Sequence, residues 1–229
     1  MSGNLTIWME IAFDIAYLIT IWVLVYLMFT KRKSVIPKNE TVARLIRWMF
    51  FLLALGDTGH VGFRVIAYAR DSLQDNTTLM GIGSLATAYT ITIFYMILVE
   101  VWRKRFNKPH NWFTWTLLIV GVFRMIIMSF PVNQWGIVPA PQPIGIIRNI
   151  PLMILGIGIM VLILVDAKKE NDKTFFWIGW MIFLSFLFYT PVIFLVHRFP
   201  LLGMLMIPKT LAYVAIAFIS YFHFYKSKK

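Results

Sequence analysis

Asp57, His60 and Arg64 fall within two helical turns in the stretch LGDTGHVGFR, residues 55–64, between flanks that are otherwise apolar. At about 100° per residue they lie within about 60° of one another on a helix. Asp57 and His60 at that spacing suit an orienting carboxylate and a general base, with an arginine to stabilise an oxyanion or phosphate. The same three groups suit the binding of a charged ligand. Gly56, Gly59 and Gly62 fall on another side, where small residues let a neighbouring helix approach closely. The segment therefore predicts one polar face and one packing face.

Further ionisable groups sit in apolar surroundings. Glu10 and Asp14 share a face at i, i+4, as do Lys209 and Tyr213; Arg124 and Arg148 stand in separate apolar runs, Arg148 beside Asn149. A charge at mid-bilayer costs roughly 2.5–3.5 kcal/mol, so such groups face a protein interior or a wet cavity. They are expected to converge in one layer, with Asp57, His60, Arg64, Arg124, Arg148, Asn149, Tyr189 and Lys209 as the ligand-binding set. The layer's three acids and four fixed cations leave one cation over, which invites a carboxylate, a phosphate or a lipid headgroup. A purely structural alternative pairs Asp57 with Arg64 or Lys209, and Glu10 or Asp14 with Arg124, to fix helix register at little net stability. Pro151, three residues after Arg148, and Pro208, beside Lys209, predict broken helices of the kind that line substrate cavities.

What must hold these groups is a membrane bundle. The 229 residues are 59% hydrophobic and 14% charged, and their apolar runs match the ~30 Å of a bilayer core. Hydropathy gives seven spans, roughly 5–30, 45–69, 78–102, 112–130, 144–166, 174–197 and 201–225. None alternates with period two, which excludes a barrel. The expectation is an all-α, polytopic integral membrane protein with one domain over residues 1–229. Met1 to Thr6 lacks the basic start of a cleavable signal, so the first span reads as a retained helix. Cysteine is absent, which removes disulfides, thiolate nucleophiles and Cys-based metal sites. Of four histidines only His60 lies in the polar layer and no HExxH occurs, so neither a metal site nor a cofactor is expected.

The net charge of +12 follows the loops rather than a nucleic-acid surface. Sixteen Lys and Arg residues gather in the 1–2, 3–4 and 5–6 connections and the tail, against Arg70 and Arg198 on the other side. That bias puts the N-terminus outside and the C-terminus in the cytoplasm, with the polar layer open outward and the plasma membrane as the expected location. Glu100, at the inner interface, is expected to pair with Arg103 or Lys104. Trp8, Trp48, Trp102, Trp112, Trp115 and Trp135 read as interfacial anchors.

Three functions fit this layout. First comes a transporter or receptor-like protein that binds an anionic or amphipathic small molecule or lipid; its partners are the bilayer and that ligand, with no nucleic acid. Second is a membrane-embedded lipid-modifying enzyme using Asp57 and His60 as an acid–base pair. Third, a lysine in the last of seven spans resembles the opsin arrangement, where such a lysine forms a Schiff base with retinal. Lys209 is off-centre for that role, and no carboxylate precedes it by one turn.

Overall fold

A computed structural model describes residues 2–69, 77–137 and 140–226, with no account of the side chains at 2–8, 10 and 67–69. The side chains of Trp8 and Glu10, and residues Arg70, Lys228 and Lys229, therefore lie outside the described residues. All regular structure among the described residues is helical: α1 (Ser2–Thr30), α2 (Glu40–Ala69), α3 (Thr77–Arg105), α4 (Trp112–Ser129), α5 (Ile144–Ile147), α6 (Ile150–Lys169), α7 (Lys173–Leu195) and α8 (Met206–Phe224). Short 3-10 turns, three of them opened by a proline, punctuate the connections. Seven segments are long and apolar enough to cross a membrane, in the order read from hydropathy.

Local chemistry sets several helix starts. Asn111 opens α4 with a reciprocal cap: its side chain accepts the Thr114 N–H at 2.9 Å, and the Thr114 hydroxyl oxygen accepts the Asn111 N–H at 2.9 Å. Asp172 opens α7 by accepting the N–H groups of Thr174 and Phe175, while Arg105 donates to its other oxygen at 2.7 Å. The fifth and seventh spans, 144–166 and 201–225, are interrupted as the prolines predict, but ahead of the prolines rather than at them. The fifth breaks at Arg148–Asn149, between α5 and α6; the seventh begins as a 3-10 segment, Pro200–Leu205, before α8. Pro151 and Pro208 both stand in the first turn of a helix, where no intrahelical N–H is missed. They begin helices rather than kink them; the proline inside a helix is Pro191 of α7.

The basic connections meet at one end of the bundle. Arg105 from the 3–4 side also donates to Asn39 of the 1–2 connection at 3.2 Å. Lys108 pairs with Asp166 at 2.9 Å, and Lys31 donates to the Tyr221 hydroxyl at 2.8 Å. Glu100 pairs with Arg103 as expected, at 2.8 Å, and also lies 3.1 Å from His110. Next to these groups the bundle is close-packed around Met28, Ile46, Met49, Leu98, Ile163 and Phe175, all under 3% exposed. Trp102 belongs to this core rather than to the lipid face. It is 3% exposed and its indole N–H donates to Asp166 at 3.0 Å, whereas Trp48, Trp112 and Trp115 are exposed as anchors would be.

The expected packing face of α2 is real in part. A Cβ on Gly56 would come within 1.9 Å of the Thr90 hydroxyl oxygen, and one on Gly83 within 2.8 Å of the Gly59 carbonyl. Helices α2 and α3 thus approach as small-residue pairs allow. Gly62 takes no part, because nothing lies within 4 Å of where its Cβ would be.

Candidate functional site

Toward the end opposite the basic connections the same helices enclose a cavity of about 480 Å³. All eight residues singled out from sequence line it: Asp57, His60, Arg64, Arg124, Arg148, Asn149, Tyr189 and Lys209. Asp14 and Tyr17 of α1, Thr87 of α3, Trp135 of the 4–5 connection and Tyr213 of α8 join them. Beneath the cavity Phe50, Phe94, Tyr95 and Tyr213 stack edge to face at 5.4–5.6 Å. Tyr95 and Tyr213 also share a hydrogen bond of 2.7 Å. Tyr213 thus faces the cavity and joins it to the hydrophobic core to which Phe50, Phe94 and Tyr95 belong.

The observed pairing differs from the register network considered above. Arg64 meets Asp14 at 3.8 Å rather than Asp57. Asp57 accepts from the Tyr17 hydroxyl at 2.5 Å and from Thr87 at 3.1 Å, and Thr87 also reaches the Gly56 carbonyl at 2.9 Å. Both carboxylate oxygens are therefore met by neutral hydroxyl donors, and no hydrogen bond joins Asp57 to His60. The acid–base dyad suggested by their spacing is not formed. The buried Nδ1 of His60 has no hydrogen-bond partner, although the ring borders the cavity.

Arg124 is 2% exposed and meets no acid among the described residues. Its Nε donates to the Arg148 carbonyl at 2.9 Å, and its Nη1 to the Ala88 carbonyl at 2.8 Å and to the Thr92 hydroxyl. The break ahead of Pro151 supplies that Arg148 carbonyl, so the two arginines are linked through backbone. The Arg148 guanidinium lies 4.0 Å over the Trp135 ring and donates to the Asn133 carbonyl at 3.1 Å. Trp135 is thus part of the cavity wall rather than an anchor alone. Lys209 stands over the Tyr189 ring at 4.3 Å and within 5.7 Å of the Tyr213 ring. Tyr189 in turn donates to Asn149 at 3.1 Å, and Asn149 to the Gly145 carbonyl at 2.8 Å.

Among the described residues no carboxylate lies within the 4.0 Å of an ion pair from Arg124, Arg148 or Lys209. Carbonyls and aromatic faces stabilise these cations without neutralising them. Four fixed cations against two carboxylates, Asp14 and Asp57, leave the described wall of the cavity positive. Chemically it offers cations to an anion, Arg148 and Lys209 among them, and one carboxylate held by hydroxyls. Among the described residues no three His, Cys, Asp or Glu side chains cluster as metal ligands would.

Sequence reasoning missed Thr87 and Trp135, a hydroxyl in an apolar helix and an apparent anchor. Tyr17, at i+3 from Asp14, carried a signal that helix periodicity could have found. Compared with protein-family models, with characterised proteins and with solved structures, the chain matches none.

Proposed function

We propose that this chain is a transporter or receptor-like membrane protein whose cavity binds an anionic or amphipathic small molecule or lipid. One observation carries the reading: Arg124, Arg148 and Lys209 border one cavity with no carboxylate partner among the described residues. Unpaired cations in a low-dielectric site are costly unless an anion completes them. The volume of about 480 Å³ suits a small molecule or the head of a lipid, and the largely apolar lining suits an amphipathic one. The sixteen-to-two distribution of Lys and Arg supports a cytoplasmic C-terminus and hence an outward-facing cavity, with the plasma membrane as the proposed location.

The test is binding to the protein in lipid nanodiscs, read as ligand-dependent thermal stabilisation. Caproate and hexyl phosphate should stabilise it and hexanol should not. Arg148→Gln and Lys209→Met should each weaken that stabilisation while leaving the ligand-free protein within ~1 kcal/mol. Equal loss with and without anion would make the two residues structural.

A second reading, a lipid-modifying enzyme, draws on the unpartnered Nδ1 of His60 at the cavity wall. A general base awaiting substrate has that appearance. In this case His60→Gln abolishes turnover of an added phospholipid while retaining anion binding; a variant that still turns the lipid over removes the reading.

A further inference from the structure

The cavity's own carboxylate narrows the ligand further, on the footing that the cavity binds an anion. Asp57 could have been neutralised inside the protein, since three cations border the same space without acid partners. Instead Arg64, on its own helix, turns to Asp14 at 3.8 Å, and Arg124 directs its N–H groups at carbonyls and Thr92. Lys209 lies within electrostatic reach of Asp57 but outside the 4.0 Å of an ion pair. Each charge is held where it is: the ammonium over the Tyr189 ring at 4.3 Å, the carboxylate by Tyr17 and Thr87 at 2.5 and 3.1 Å. A carboxylate accepts about four hydrogen bonds, so two hydroxyls leave it capacity for a donor arriving through the cavity.

Opposite charges that share a cavity and are kept from collapsing onto each other match a molecule carrying both charges. We propose that the ligand is a zwitterion whose anionic group meets Arg148 and Lys209 and whose ammonium meets Asp57. Its anionic group is a carboxylate or a phosphate, for which the guanidinium fork and the ammonium are both suited. A plain anion would leave Asp57 without a cation and facing it. A plain cation would meet three like charges.

The experiment compares three probes of one length on the intact protein in nanodiscs: ε-aminocaproate, caproate and hexylamine, by titration of thermal stabilisation. Wild type should bind ε-aminocaproate about tenfold tighter than caproate, the contribution of one modest charge-assisted hydrogen bond, and hexylamine more weakly than either. Asp57→Asn should bring the affinities for ε-aminocaproate and caproate together, and Asp57→Glu should keep them apart. Equal binding of ε-aminocaproate and caproate by wild type would overturn the zwitterion and leave the anion reading standing. No binding of caproate, hexyl phosphate or ε-aminocaproate would overturn both. If Asp57→Asn does not fold, the wild-type comparison alone decides.

Discussion

Replacing Gly56 and Gly62 with alanine, one at a time, tests how α2 is set against α3 and hence how its polar face meets the cavity. At Gly56 the new methyl would stand 1.9 Å from the Thr90 hydroxyl oxygen, 2.8 Å from its Cβ and 2.9 Å from its Cγ2. Rotating Thr90 moves the hydroxyl but leaves Cβ in place, so the helices themselves must part by some tenths of an ångström. Overpacking of this kind costs about 1–3 kcal/mol, and alanine's helix preference over glycine returns about 0.5–1. The net loss is roughly 1–2 kcal/mol, or a fall in Tm of about 2–8 °C for a chain of this size. At Gly62 nothing lies within 4 Å of the added methyl, so only the helix term acts and Tm should hold or rise slightly. Gly56→Ala should also disturb binding, because Thr87 reaches both the Gly56 carbonyl and Asp57 from α3. Tryptophan-fluorescence melts of the two variants in one detergent give the comparison. Gly56→Ala melting at or above Gly62→Ala would refute the close α2–α3 contact.

Arg124→Met removes three hydrogen bonds worth about 0.6–1.7 kcal/mol each in a membrane protein, but also removes a buried charge that costs about 2.5–3.5. Ligand-free stability should therefore change by no more than about 2 kcal/mol, while caproate binding weakens through loss of one cation at the cavity; SDS-driven unfolding and titration measure the two. Asp166→Asn breaks the pair with Lys108 and weakens the bond from Trp102, and should cost about 1–3 kcal/mol, discounted for the partial exposure of Lys108. A thermal melt checks it, and a change within about 0.5 kcal/mol would mean the pair is idle. Cysteine introduced on this Cys-free chain at exposed Val132 should react with an impermeant maleimide on intact cells, and at exposed Glu170 only after permeabilisation. The reverse pattern would invert the proposed topology.

The number and order of spans and the convergence of the eight named residues on one cavity were legible because each rests on a strong, one-dimensional signal. Hydropathy sets spans, and a charge in an apolar run has few places to go. Partner choice was not legible, because it depends on rotation and depth to within an ångström or two. Asp57 and Arg64 share a helix face, yet the arginine reaches across to α1 and the carboxylate is taken by Tyr17 and Thr87. Asp57 and His60 have dyad spacing, but a shared face does not turn two side chains toward each other. The prolines marked interrupted spans but not where the break falls, because the helices restart just before Pro151 and Pro208. The carbonyl that Arg148 offers to Arg124 exists only because of that restart. Trp102 and Trp135 show the limit of the aromatic-belt rule, since indole N–H groups also satisfy buried acceptors such as Asp166 and the Met128 carbonyl.

The proposed ligand completes the unpaired cations of the cavity. An experimental density map of the protein reconstituted in native lipid measures that directly. Non-protein density reaching hydrogen-bond distance of Lys209 Nζ and the Arg148 guanidinium is the predicted result. Lys209 closed onto Asp57 as an ion pair, with only ordered water beside Arg148, would contradict it.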